Sequence, residues 1–336
     1  MKKSLLALAL LGAFTASAFA EPSVTLYGRI DTGLVYTHKN LDNTAGSTDT
    51  FSMDSGVTTG SRWGLKGSED IGNAKVGFVL ESGFNSDDSD DGTSGQNNRL
   101  FGREAQVNVS GAYGTLYAGR IASVVSDSGS IGYLGDVSAF PNGFGIVGTQ
   151  KGSTGTAYDR YDNTLAYQTP TFGGLQGAIM YSFKGDAKVS DSNPKEVANA
   201  RENSGDADRY LAAGLRYKAG KAAVVLTGDM TMYSNDVNNV YHDVDNGYSF
   251  ILGGNYDFGV AKVFAKATYF DNQVNVIDSF SLIKDARDLK KAEALKGWGA
   301  ELGTNVPAFG GNFLAAVGYR DAKDVDDGSY KFKRWN

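Results

Sequence analysis

The sequence predicts an all-β fold, a transmembrane antiparallel up-and-down β-barrel. Apolar and polar residues alternate in many segments of about ten residues, the length that a tilted strand needs to cross a bilayer. Tight turns and long polar connections also alternate along the chain. After residue 20 no apolar run is long enough for a membrane-spanning helix. A closed barrel is the other structure that satisfies its backbone hydrogen bonds in lipid.

The N-terminus has the pattern of a secretory signal peptide. Two lysines follow the first methionine, residues 5–11 are apolar, and small residues end at Ala20. The apolar run is too short for a membrane anchor, which needs roughly 20 apolar residues. We therefore predict a cleaved signal peptide at 1–20 and a single exported barrel domain at 21–336.

The composition excludes some partners and some sources of stability. The formal net charge is −6, whereas a nucleic-acid binder normally carries a basic patch, so we expect no nucleic-acid partner. The chain has no cysteine. An exported protein without disulfides must be stabilised by its own hydrogen bonds and packing.

About fourteen segments show the alternation of a strand. They lie near 24–36, 60–69, 75–84, 100–110, 114–121, 163–170, 175–184, 209–218, 221–233, 247–257, 261–271, 297–306, 312–321 and 328–336. The tight connections are 70–73, 111–113, 173–174 and 219–220. The long polar stretches are 37–59, 85–98, 122–162, 185–207, 234–246 and 272–296. Short turns at one end and long loops at the other are typical of outer-membrane barrels.

The alternation alone does not decide which face is buried. A soluble sandwich hides its apolar positions, whereas a membrane barrel turns them towards lipid. Aromatic residues crowd the strand ends, as girdles at headgroup level require, and sequential hairpins favour closure without edges. We therefore expect Leu26, Ile179 and Phe250 to face lipid, and Arg62 and Lys66 to face a watery interior.

Three segments of the N-terminal third carry a more specific pattern. They read SVTLYGRIDTGLVY at 23–36, GSRWGLKGSEDIGNAKVGFVLESGF at 60–84 and GREAQVNVSGAYGTLYAGR at 102–120. These residues resemble the general diffusion porins of Gram-negative outer membranes, above all those of β-proteobacteria and Neisseria-like bacteria. The resemblance implies a 16-stranded, homotrimeric outer-membrane barrel whose third long loop, here 122–162, folds inward.

The resemblance also implies a channel for passive diffusion of ions and small hydrophilic solutes. Such a channel needs charged groups across a constriction. Candidates for its basic wall are Arg29, Arg62, Lys66, Arg103 and Arg120, of which the resemblance supports Arg62, Arg103 and Arg120. Candidates in the constriction loop are Asp127, Asp136, Pro141, Asn142, Gly143 and Phe144. The alternative is that some of these charges are ordinary lumen charges or ion pairs at a subunit contact.

The C-terminal end departs from the porin pattern. Relatives end on an aromatic residue, whereas this sequence ends in Asn336 and shows fourteen strands in place of sixteen. We expect a sequence that lacks its last hairpin, and a true fourteen-stranded barrel is the alternative.

Two loop segments have local patterns of their own. Residues 87–98 begin with the spacing of an EF-hand, but Asn98 occupies the position of the glutamate ligand. We interpret the segment as a solvated acidic loop tip, with loosely held divalent ions that bridge lipopolysaccharide as the alternative. Residues 283–296 are rich in helix formers and predict a short helix.

Two other functions stay open from the residues alone, a soluble periplasmic carbohydrate-binding β-protein and an outer-membrane barrel hydrolase. The chain has two histidines, His38 and His242, both in predicted loops without a nucleophile motif nearby. We therefore predict no enzyme activity, no cofactor and no metal. The expected partners are further copies of the chain, outer-membrane lipid and lipopolysaccharide, and the diffusing solutes.

Overall fold

The computed structural model describes residues 23–40, 47–88, 99–140, 160–185, 201–235, 245–273, 294–329 and 331–335. These residues form sixteen strands and a turn of 3-10 helix at Leu134–Val137. The strands are β1 (Ser23–Arg29), β2 (Thr32–Asn40), β3 (Ser47–Ser55), β4 (Arg62–Asp70), β5 (Lys75–Gly83), β6 (Glu104–Gly111), β7 (Gly114–Ala122), β8 (Arg160–Gln168), β9 (Leu175–Ser182), β10 (Arg209–Ala219), β11 (Ala222–Met232), β12 (Gly247–Asp257), β13 (Lys262–Gln273), β14 (Leu295–Ala308), β15 (Gly311–Asp324) and β16 (Lys331–Trp335). In this described part of the chain no helix has the length and hydropathy to cross a membrane.

Fourteen of the strands form one antiparallel sheet with sequential neighbours. Its order is β1-β4-β5-β6-β7-β8-β9-β10-β11-β12-β13-β14-β15-β16, and β2 and β3 form a separate hairpin between the first two members. Among the described residues, β1 pairs only with β4 and β16 only with β15. The up-and-down order and the number of strands in the sheet agree with the sequence prediction.

The single first strand predicted at 24–36 is wrong, because the structure divides it into β1 and β2 at Ile30 and Asp31. The carbonyl of Asp31 accepts hydrogen bonds from Gly56 N at 2.8 Å and Ser61 Oγ at 3.1 Å. At the break these bonds replace the regular backbone hydrogen bonds between neighbouring strands. The alternation of polarity continues through the break, so it could not reveal it.

Several other boundaries also differ from the prediction, and in three places the structure has strand residues where a loop or a helix was predicted. β3 lies within 37–59, which was predicted to be a loop, and β8 begins at Arg160, inside the loop predicted at 122–162. The last two residues of the helix predicted at 283–296 begin β14, and the residues of that helix up to 293 lie outside the described part. In each case pairing with a neighbouring strand outweighs the local preference of the residues.

The outward face of the sheet is apolar, as predicted. Leu26, Ile179 and Phe250 are 69%, 50% and 55% exposed. Arg62 and Lys66 lie on the opposite face, as the register of β4 with β1 shows. The expected orientation, with an apolar exterior and a charged interior, is confirmed.

The apolar core lies inside, between the strands and an inward-folded segment. We call residues 123–140, which follow β7, the inner loop. The core cluster combines side chains from this loop and from the inner face of the strands around it: Ile121, Val124, Val125, Ile131, Tyr133, Leu134, Val137, Tyr161, Ala166, Ala178, Met180, Tyr210, Ala212, Val225 and Ile251. Burial of apolar surface is worth about 25 cal/mol per Å², so it stabilises the folded-in position of the loop.

Glycines on the inner face leave room for this loop. A Cβ atom at Gly253 of β12 would lie 2.7 Å from Val137 Cγ2, and one at Gly303 of β14 would lie 2.5 Å from Ala139 Cβ. Real Cβ atoms do not approach so closely without a shift of their neighbours. Close packing, and not backbone conformation, therefore requires glycine at these two positions.

Replacing Gly253 by alanine should destabilise the protein by about 1–3 kcal/mol, the usual cost of overpacking. The measurement is the thermal unfolding of the detergent-purified protein. Gly254→Ala is the matched control, because a Cβ atom there would meet its nearest neighbour, Ala223 O, at an ordinary 3.4 Å. Equal destabilisation by the two variants would contradict the packing account.

Candidate functional site: the charged inner wall

A first cluster of charges lies at β4, β5 and the start of β6. Arg103 Nε donates to Glu81 Oε1 at 2.6 Å, and Arg62 Nη1 lies 3.8 Å from the same oxygen. The Tyr27 hydroxyl donates to the second carboxylate oxygen of Glu81 at 3.0 Å. One carboxylate is thus shared by two guanidinium groups.

The register of the strands assembles this first cluster. Tyr27 is opposite Gly64, and Gly64 is opposite Glu81. A Cβ atom at Gly64 would lie 2.8 Å from the Tyr27 ring, so the glycine lets the tyrosine cross β4 and reach Glu81. Arg29, the cross-strand partner of Arg62, lies on the same inner face and is exposed. Lys66 is likewise exposed on that face.

A second cluster joins the inner loop to β10. Asp136, in the 3-10 turn, accepts Arg216 Nη1 at 2.9 Å and Lys218 Nζ at 2.8 Å. The Arg216 guanidinium also lies 4.5 Å from the centre of the Tyr133 ring and donates to Gln176. Burial raises the pKa of Tyr133, so its hydroxyl stays neutral beside the cation. Here again two basic groups share one carboxylate.

Arg120 lies in a third cluster. Its Nη1 contacts Asp162 Oδ1 at 2.7 Å, and Arg99 Nη2 contacts Asp162 Oδ2 at 2.6 Å. Arg120 Nε also donates to Gly102 O at 2.6 Å, and the Arg120 side chain is only 15% exposed. The structure therefore does not bring Arg120 together with the other predicted wall residues.

The remaining predicted residues have other neighbours or lie outside the description. Asp127 accepts a hydrogen bond from Ser138 Oγ at 3.3 Å, within the inner loop. His38 Nδ1 lies 2.7 Å from Asp49 Oδ1 on the exposed hairpin of β2 and β3. Several predictions fall outside the described residues: the signal peptide, the acidic segment from Ser89 to Asn98, His242, Pro141, Asn142, Gly143 and Phe144.

Hydrogen bonds fix the inner loop at its middle and near its C-terminal end. Glu104 of β6 accepts Ser130 N at 2.7 Å and Ser130 Oγ at 2.5 Å. Lys266 of β13 donates to Ser138 Oγ at 3.2 Å and lies 3.4 Å from Glu301 on the adjacent strand. The loop is therefore anchored to opposite parts of the wall, and its position determines how much of the interior is open.

The sequence prediction missed Glu81, Arg216 and Lys218. Glu81 stands in an otherwise apolar stretch of β5 and gives no separate signal. The alternation does contain a signal for the two basic residues, because they alternate with the outward Leu215 and Tyr217. The residues that carry the porin resemblance lie in the N-terminal third, and Arg216 and Lys218 lie outside it.

A wall that is apolar outside and charged inside, with a loop folded across it, defines a channel-forming membrane barrel. The chain matches the Gram-negative porin family over residues 7–333 and belongs to it, which confirms the resemblance. It is an outer-membrane channel for passive diffusion and not an enzyme. The soluble carbohydrate-binding and hydrolase alternatives are therefore discarded.

Known proteins support this assignment. The chain is 40% identical over 275 residues to an outer membrane porin protein of Bordetella pertussis, over 78% of this chain and 68% of that one. It is 31% identical over 237 residues to the major outer membrane protein P.IB of Neisseria gonorrhoeae, over 70% and 62% of the two chains. Among solved structures, an anion-selective porin from Comamonas acidovorans has the same fold, with a TM-score of 0.54 and 24% identity over 90% of this chain and 78% of that one.

Replacing Asp136 by asparagine should shift the ion preference of the channel towards anions, because Arg216 and Lys218 lose the carboxylate that they share. One charge at roughly 4 Å in water is worth about 1 kcal/mol, so the permeability ratio should change by up to about fivefold. The measurement is the reversal potential in planar bilayers under a salt gradient. Asp245→Asn, at an exposed position before β12, is the control and should leave the ratio unchanged; an equal shift in both variants would contradict the assignment.

Proposed function

We propose that the channel of this porin favours anions over cations. The observation that carries the proposal is the ratio of charges in the two inner clusters. Glu81 is shared by two arginines, and Asp136 is shared by an arginine and a lysine. Each carboxylate balances one of its two cations, so net positive charge stays on the wall, where a narrow tube strengthens its effect on passing ions.

The other charges of the described interior support this sign. Glu104 and Asp229 are only 3% and 5% exposed, and both accept hydrogen bonds from serines, Asp229 from Ser249 at 2.5 Å. Arg29 and Lys66, in contrast, are exposed on the inner face. A passing ion therefore meets the exposed cations of Arg29 and Lys66, whereas Glu104 and Asp229 are withdrawn from it, despite the net charge of −6 of the whole chain.

The porin from Comamonas acidovorans is anion-selective by its name. At 24% identity the likeness shows the fold, so it supports the architecture in which the charges act. The preference proposed for this chain rests on its own ion pairs.

Replacing both Arg62 and Arg103 with glutamine should shift the reversal potential towards cation preference, because Glu81 then loses both guanidinium partners. Arg62→Lys with Arg103→Lys conserves the charge and should keep most of the anion preference. Arg201→Gln with Lys221→Gln removes the same charge at exposed positions away from the clusters. Reversal potentials that do not differ between the glutamine pair at the wall and this control would refute the proposal.

We also propose that the chain assembles as a homotrimer, supported by the porin resemblance of 60–84 and 102–120. Native mass spectrometry of the protein in mild detergent should give three times the mass of one mature chain. A single-chain mass that persists over a wide range of protein concentration would contradict the trimer and leave the ion preference of the channel unaffected.

A further inference from the structure

The outer face of β14, β15 and β16 carries lysines in direct cross-strand register. Lys296 is opposite Lys323, and Lys323 is opposite Lys331. We call these three residues the lysine row. Like charges directly opposite each other on neighbouring strands are destabilising. The row therefore lowers stability unless an anion lies against it.

The lysine row faces the membrane side of the sheet. The same alternate positions carry Trp298 on β14 and Trp335 on β16, which are 48% and 73% exposed. The ring of Tyr319 lies between them, with centroid distances of 5.5 Å to Trp298 and 4.4 Å to Trp335. An exposed aromatic group of this kind is typical of the boundary between acyl chains and headgroups.

The row lies at the loop end of these strands, beyond the aromatic group. Residues 309–310 form the tight turn at the opposite end, between β14 and β15. In outer-membrane barrels the longer loops face the outside of the cell. Lys296 is two positions away from Trp298 along β14, which corresponds to roughly 7 Å along a strand. The lysines are thus placed at the depth of outer-leaflet headgroups.

The described residues provide no counterion for the row. None of its three lysines forms an ion pair there, although three aspartates lie nearby in the sequence, at 321, 326 and 327. Asp321 is paired with Lys333 at 3.5 Å, and Asp327 in the following loop accepts hydrogen bonds from Ser329. Four lysines, the paired Asp321 and the exposed loop carboxylates of Asp326 and Asp327 therefore form a patch of small net positive charge on a chain whose net charge is negative.

We propose that Lys296, Lys323 and Lys331 bind the phosphate groups of lipopolysaccharide in the outer leaflet, with its acyl chains against Trp298 and Trp335. The order along the surface, apolar rings first and cations beyond them, matches the order of acyl chain and phosphate in such a lipid. Long lysine side chains reach headgroups while their stems stay on apolar surface. The inference rests on the outer-membrane location and identifies a site for the lipid partner.

The test compares Lys296→Gln, Lys323→Gln and Lys331→Gln together with wild type for binding of purified lipopolysaccharide in detergent. Each lysine near an anionic surface is worth about fivefold in affinity, so the triple variant should bind about a hundredfold more weakly. The matched control replaces Lys75, Lys221 and Lys262, all at the turn end of the sheet, and should keep wild-type affinity. Dephosphorylated lipopolysaccharide should bind wild type as weakly as the intact lipid binds the triple variant, and inorganic phosphate should not compete at the lipid concentration used.

Three results would overturn the proposal: equal affinity of the two triple variants, equal binding of the intact and dephosphorylated lipid, or a changed oligomer mass of the row variant in lipid-free detergent. The last result would assign the row to a contact between protein chains. Absence of conductance in wild type would count against the channel and would not bear on lipid binding.

Lys323→Gln alone provides a second readout if the triple variant does not fold. Without lipid its thermal unfolding temperature should rise, because the repulsion within the row is relieved. Added lipopolysaccharide should then raise that temperature less than in wild type. A ligand that binds the folded protein more weakly stabilises it less. An equal rise in both proteins would also overturn the proposal.

Discussion

The packing of the inner loop against the wall is the interaction on which the rest of the channel depends. The outward face of the sheet meets lipid, so a protein core can form only inside, and the core cluster lies there. Val137 and Ala139 fit against glycines of β12 and β14. Because this packing fixes the 3-10 turn, it also holds Asp136 against Arg216 and Lys218. Apolar contacts thereby determine where the charges of the interior lie.

In each inner cluster the carboxylate receives cations and hydrogen-bond donors, yet the cluster as a whole keeps a net positive charge. A partly buried carboxylate needs cations and hydrogen-bond donors, because an unpaired buried charge is strongly destabilising. Glu81 receives two arginines and the Tyr27 hydroxyl. The surplus cation in such a group is stable because it shares the same carboxylate, and in the proposed function it is also the charge that a passing ion meets. Stability and the proposed ion preference therefore rest on the same contacts.

The sequence predicted the features that depend on alternation and missed those that depend on register. The apolar exterior, the number of strands in the sheet and the inner position of Arg62 follow from a period of two. The break at Asp31 and the placement of Arg120 do not, because both occur where the ladder is irregular. The pairing of β7 with β8 shifts between Gly119 and Ile121, and Arg120 lies at that shift. Contacts between residues far apart in sequence, such as Asp136 with Arg216, are likewise fixed by how the loop folds back.

The alternation of side chains along a strand decides whether a basic residue faces the channel or the lipid. β15 shows both cases within four residues. Arg320 is fully buried on the inner side, whereas Lys323 is exposed on the outer side. A shift of the register by one residue would exchange the two faces, turning interior cations towards lipid and the lysine row towards the channel. The bulges and breaks that the alternation did not predict set the register, so they matter for function as well as for folding. The same residue type can act on solutes inside and on lipid outside only while the register of β14, β15 and β16 is maintained.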